Sequence, residues 1–168
     1  MSALPETVDA WRMVAAGRRF EGSIRVRDMS RLRGSLARDD AVVRYELEFG
    51  RDEFEVPYLS LKASGSLPLE CQRTLEVFEL EVAIDQRLGL ITKEADEAAL
   101  PPGYEPLLTE TGELNPADVI EDELILALPV VPIKPGSESE NTAVWDATPP
   151  EGATGPFAEL ARLKKSRA

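Results

Sequence analysis

Apolar and polar residues alternate with a period of two in several stretches of the chain, which marks half-buried strands. Phe20, Ile24 and Val26 alternate with Glu21, Ser23 and Arg25, giving a first strand with Gly22 at a bend. Val43, Tyr45, Leu47 and Phe49 alternate with Arg44, Glu46 and Glu48, and a second run, Phe54 to Ala63, follows the turn GRDE. That pair predicts an antiparallel hairpin, with Pro57 requiring an edge position or a bulge. After an SGS turn, Leu67 to Ile84 reads as one bent central strand headed by Cys71, with Phe78, Leu80, Val82 and Ile84 on its apolar face. Leu75 and Val77 have the opposite parity, so a bulge near Val77 is expected.

Helical spacing appears elsewhere. Pro5 through Ala16 carries Val8, Trp11, Val14 and Ala15 on one face until Gly17 stops it. Asp28 caps a second short helix with Met29, Leu32 and Leu36 inward. Glu94 to Ala99 gives a helical turn, and residues 100 to 116 are expected to be irregular. Asn115 and Pro116 then open a helix with Ile120, Leu124, Ala127 and Leu128 on its stripe, ended by Pro129. The fold class is therefore α+β, a bent antiparallel β-sheet or partly closed barrel with flanking short helices. Residues 1 to 133 form that domain, 134 to 155 have the Pro, Gly, Ser and Glu bias of a disordered linker, and 156 to 168 form a short amphipathic basic tail.

Charge changes this picture more than length does. The net charge is -12, but residues 1 to 38 hold eight arginines against four acids, while residues 39 to 150 hold 25 acids against seven bases. An acidic body repels phosphate backbones and attracts basic proteins. No stretch has the pattern of an export signal or the length of a membrane span, so a soluble, cytoplasmic protein is expected.

Chemistry is limited by what is missing. The chain has no histidine and one cysteine, which removes imidazole bases, histidine ligands and a thiolate zinc site. It also lacks a phosphate-binding glycine loop. Cys71 as a nucleophile would need a lowered pKa, for which Arg73 is the nearby charge, whereas as a buried small hydrophobe it needs no partner; the buried reading is favoured. Glu121, Asp122 and Glu123 read as an exposed, solvated carboxylate cluster, because consecutive acids on a helix point in different directions. No catalysis, cofactor or metal is expected.

Partner binding leaves two sets of candidates. Arg27, Arg31, Arg33 and Arg38 surround the second helix, with Arg73 further on, and could grip RNA phosphates through forked hydrogen bonds. The alternative is a solvated face paired with the neighbouring acidic sheet, which is favoured for want of interleaved aromatics. Glu46, Glu48, Glu79 and Glu81 occupy the wet positions of the two clearest strands and could hold a basic protein. Phe157, Leu160 and Leu163 form the apolar face of the tail.

Three blocks of the sequence carry a family resemblance. Cys71, Arg73, Leu75 and Glu76 in ECQRTLE resemble the C-x-R-C-L-E signature of the bacterial YceD family. DVIEDELILALPVVP, residues 118 to 132, resembles its acidic-then-apolar block, and GPFAELARLK from Gly155 resembles its closing segment. Thr74 departs from the pattern, standing where many members have a second cysteine, so no cysteine pair is available for a metal or redox role. The resemblance implies a non-catalytic accessory role in synthesis, processing or stability of 23S ribosomal RNA and in large-subunit assembly. The implied partners are a basic ribosomal or rRNA-processing protein, or the large-subunit rRNA precursor; an acidic protein–protein adaptor with no RNA role is the alternative.

Overall fold

A computed structural model describes residues 4–137. Strand β1 (Val8–Asp9) precedes helix α1 (Ala10–Ala15), which is shorter than its apolar spacing predicts. Val8 and Asp9 are drawn into an antiparallel pair with β7 (Glu113–Leu114), and the Asp9 carboxylate caps the helix by accepting the Arg12 N–H at 3.0 Å. The pairing brings Trp11 against Gly112, whose φ of 80° and missing Cβ make room for the indole.

A five-stranded sheet follows, in the order β2 (Arg19–Arg25), β3 (Val42–Arg51), β4 (Pro57–Glu70), β5 (Val77–Ile91) and β6 (Glu105–Leu108). Strand β2 (Arg19–Arg25) pairs antiparallel with β3 (Val42–Arg51). Between them, the expected helix from Asp28 is replaced by two 3-10 turns, Val26–Asp28 and Leu32–Ser35. Ser30, Gly34 and Ser35 are poor helix formers, and Asp28 bonds Arg25 at 3.1 Å instead of capping a helix. Met29 and Leu32 are still buried.

Strand β4 (Pro57–Glu70) is central, with Pro57 at its first position, where no ladder donor is lost. It passes straight through the predicted SGS turn, because β5 (Val77–Ile91) pairs with it continuously from Tyr58 to Glu70. Leu67–Ile84 is thus two strands and a turn, with Cys71 in the turn rather than at a strand head. No bulge is needed near Val77: Leu75 and Val77 are exposed at the turn. Pro68 is tolerated because β3 pairing stops at Ser64; the Pro68 carbonyl on that open side accepts the Ala37 N–H at 2.9 Å.

After a 3-10 turn at Glu94–Ala99, the expected irregular connection supplies β6 (Glu105–Leu108), which joins β5 in parallel, and then β7. The sheet is therefore mixed rather than purely antiparallel, and open rather than a barrel. Helix α2 (Pro116–Ala127) forms as predicted, capped by Asn115, whose side chain accepts the Ala117 N–H at 3.0 Å. Val119, Ile120 and Leu124 are buried in the same core cluster as Leu47, Leu61 and Val82 of the sheet, whereas Ala127 of the predicted stripe is exposed. Each such buried side chain contributes about 2 kcal/mol by leaving water. The two helices cover one face of the sheet; the other, the bare face, carries no α-helix among the described residues and is touched at its margins by Leu100 against Gly89 and by Arg38 against Glu79.

Candidate functional site

Two of the family-like blocks meet at one end of the β4–β5 hairpin. The turn is closed by Cys71 N–H to Glu76 C=O at 2.9 Å and Leu75 N–H to Cys71 C=O at 2.8 Å, with Leu75 at a φ of 59°. The segment after α2 docks on it: Gln72 donates to the Pro132 carbonyl at 3.0 Å, and the Lys134 ammonium bonds Glu76 at 2.9 Å. That contact lifts the Lys134 pKa and lowers the Glu76 pKa. Residues 134 to 137, the start of the expected linker, form a turn here; the rest of that segment and the tail with Phe157, Leu160 and Leu163 lie outside the described residues. Leu75, Val77, Val130, Val131 and Ile133 are all exposed around this junction.

Cys71 is a free thiol with no solvent contact, in a small satellite cluster with Leu69 and Phe78. Its pKa is nevertheless lowered to about 6. The Lys134 backbone N–H, 3.3 Å from the sulfur, is the largest cause, followed by the Thr74 hydroxyl and the N–H groups of Thr74 and Arg73. Desolvation opposes the shift and loses to these donors. Cys71 is thus buried as expected but does not sit among apolar groups alone. Arg73 contributes through its main chain, and its side chain is exposed.

Two of the four arginines of the cluster are paired within the molecule. Arg31 pairs with Asp122 and, at 3.2 Å, with Glu121. Glu121 also accepts the backbone N–H of Arg31 at 2.6 Å and of Leu32 at 2.9 Å. At 4% exposure Glu121 is buried, which corrects the expectation of three solvated acids: one closes the 3-10 turns onto α2. Arg38 bonds Glu79 at 2.6 Å and faces Asp40 at 3.5 Å. Arg27 and Arg33 are exposed, with no ion pair among the described residues.

On the bare face, Glu46, Glu48, Glu79 and Glu81 stand on the wet side as predicted. They are interleaved with cations. Arg19 pairs with Glu46 and, at 3.2 Å, with Glu48, while Lys62 lies 3.9 Å from Asp85. Tyr58 lies flat over Gly50, the Arg87 guanidinium sits 4.9 Å from its ring centre, and Tyr104 donates its hydroxyl to Asp52 at 2.8 Å. That hydrogen bond and two backbone N–H groups overcome desolvation and lower the Asp52 pKa. A polar hollow of about 410 Å³ lies between Arg19, Lys62 and Arg87.

The acidity is concentrated instead between β5 and the hairpin junction. Residues 88 to 133 hold ten carboxylates and one lysine. Glu105 and Glu123 border a groove of about 610 Å³ beside α2, with Leu126 on its wall. Burial and the charges of Glu105 and Asp122 raise the Glu123 pKa. The sequence does not single out Glu105 or Leu126, and Glu123 reads there only as one of three solvated acids. Among the described residues no three His, Cys, Asp or Glu side chains are placed to hold a metal ion, and no helix is long and apolar enough to cross a membrane.

The structure defines a small two-layer α+β protein with an open, bare-faced sheet and a carboxylate-rich edge, and its relatives agree on one family. The profile of Large ribosomal RNA subunit accumulation protein YceD matches residues 59–164. A Haemophilus influenzae protein named Large ribosomal RNA subunit accumulation protein YceD is 30% identical over 168 residues, covering 96% of this chain and 97% of its own. The chain belongs to the YceD family. No solved structure matches it.

Proposed function

We propose that this protein is a non-catalytic accessory factor in the accumulation of large-subunit ribosomal RNA, and that it acts by holding a basic ribosomal or rRNA-processing protein. The ribosomal context rests on the family and on the name of the Haemophilus relative. The mode of action rests on one observation, the surface of residues 88 to 133, where eight exposed or half-buried carboxylates, apart from the Arg31-bound Glu121 and Asp122, stand against one lysine. Such a surface repels phosphates and steers cationic partners toward it. Direct RNA contact is the weaker reading, because Arg31 and Arg38 are paired with Glu121, Asp122 and Glu79, which leaves Arg27 and Arg33 of the four arginines. The bare face contributes less than its glutamates alone suggest, since Arg19 and Lys62 offset them locally.

The test is a pull-down from lysate with and without ribonuclease. A basic protein retained after ribonuclease treatment, and released by raised salt, is the expected result. Capture that depends on intact RNA, with tight binding of the purified protein to naked precursor RNA at physiological salt, would overturn the reading.

A further inference from the structure

Strand β5 is paired with β4 along nearly its whole length, but β6 covers only Leu88–Ile91. Upstream, at Ala83–Gln86, the outer edge of β5 has no neighbouring strand among the described residues. An uncovered edge presents main-chain donors and acceptors to an incoming strand. Directly beside it lies the groove of about 610 Å³, with Ile84, Pro106, Leu126 and Ala127 as its apolar wall. Leu126 is 77% exposed on the last turn of a helix that otherwise buries its apolar stripe.

The groove is bordered by Asp85, Glu105 and Glu123. Asp85 has Lys62 at 3.9 Å, whereas neither Glu105 nor Glu123 forms an ion pair among the described residues. Burial, then the neighbouring charges of Glu105 and Asp122, raise the Glu123 pKa. A second copy laid along the same edge would set these carboxylates against their equivalents, and RNA would meet them with its phosphates.

We propose that this edge takes an extended, lysine- or arginine-rich segment of a basic protein as an added strand. The main chain of the segment pairs with Ala83–Gln86, its apolar side chains lie against Leu126 and Ala127, and its cations reach Glu105, Glu123 and Asp85. The assignment deepens the reading given above and rests on it for the class of partner.

Fluorescence anisotropy on the full-length protein tests it, with three labelled probes: a peptide alternating valine and lysine, the same peptide N-methylated on one edge, and an oligouridine. The wild type should bind the first probe with a salt-dependent affinity and bind the other two at least about tenfold more weakly. Glu105→Lys with Glu123→Lys, and separately Leu126→Asp, should each weaken the first probe by about tenfold or more, while Glu46→Lys with Glu48→Lys should not. Leu126 is exposed, so Leu126→Asp should keep the wild-type circular dichroism spectrum and melting temperature. Equal binding of the N-methylated peptide, indifference to both groove variants, or a dimer that Leu126→Asp dissociates would overturn the assignment. In lysate, groove variants that still capture the basic protein held by the wild type would overturn the groove and leave the partner class standing. Peptide binding at the groove together with purely ribonuclease-sensitive capture would retain the groove and overturn the partner class.

Discussion

Cys71 couples the hairpin turn to the segment after α2 through its sulfur, and that coupling depends on pH. The folded thiol has its pKa lowered from 9.0 to about 6 by donors that exist only when Lys134 and Thr74 are in place. In the unfolded chain those donors are gone and the ordinary value returns. For a group whose folded pKa is depressed, the stabilisation is complete above the unfolded value and is lost as pH falls through the folded one. Between pH 9 and pH 6 the contribution of Cys71 should therefore decline, and below pH 6 it should vanish. Thermal melts across that range should show Cys71→Ser with a flatter profile than the wild type and the two differing least at the acid end; parallel profiles would mean that the sulfur stays protonated. That Cys71 is buried could be read from the sequence. Its acidity could not, since the dominant donor is the main chain of Lys134, 63 residues away. Glu121 is a similar case: its partner Arg31 is 90 residues distant, so a run of three acids gave no sign that one was internal.

At the scale of elements, alternation located the strands from β2 to β5 but not β1, β6 or β7, and gave connectivity poorly. Phe78 to Ile84 keeps the predicted parity, and Asn115 with Pro116 opens α2 where expected. The structure departs from the pattern at Ser64–Ile84, where the predicted SGS turn is strand and the predicted strand is broken by a turn at QRTL. Local composition favours bends at small polar residues, yet thirteen paired positions between β4 and β5 hold Ser64, Gly65 and Ser66 extended. The actual turn forces Leu75, a residue with a Cβ and no local hydrogen-bonding side chain, into the left-handed region at a φ of 59° while leaving it 71% exposed. Asparagine visits that region at less cost than leucine. Leu75→Asn should therefore stabilise the fold by about 1 kcal/mol, read as a higher urea midpoint at unchanged slope. A lower midpoint would mean that the Leu75 side chain contributes packing that its exposure hides.

For the whole molecule, the sequence showed that acids dominate the middle of the chain, and the structure shows where they gather. Glu46, Glu48, Glu79 and Glu81 share a face with Arg19, Lys62 and Arg87, so their field is partly cancelled at short range. Glu94, Asp96 and Glu97 sit together on an exposed 3-10 turn, with Lys93 as the one cation in the stretch from 88 to 133. None of the three lines the groove. Charges outside a contact act on the diffusional encounter, whereas charges inside it act on the lifetime of the complex. Converting Glu94, Asp96 and Glu97 to lysine should therefore slow association of the valine–lysine peptide several-fold at low salt and leave dissociation nearly unchanged. Converting Glu105 and Glu123 should chiefly speed dissociation. Because the Debye length shrinks to about 8 Å at physiological ionic strength, the first effect should fade as salt rises while the second persists. Stopped-flow traces at several salt concentrations separate the two. A dissociation rate that changes equally in both sets of variants would mean that the 3-10 turn belongs to the contact itself, and that the bound segment extends past β6 along the acidic edge.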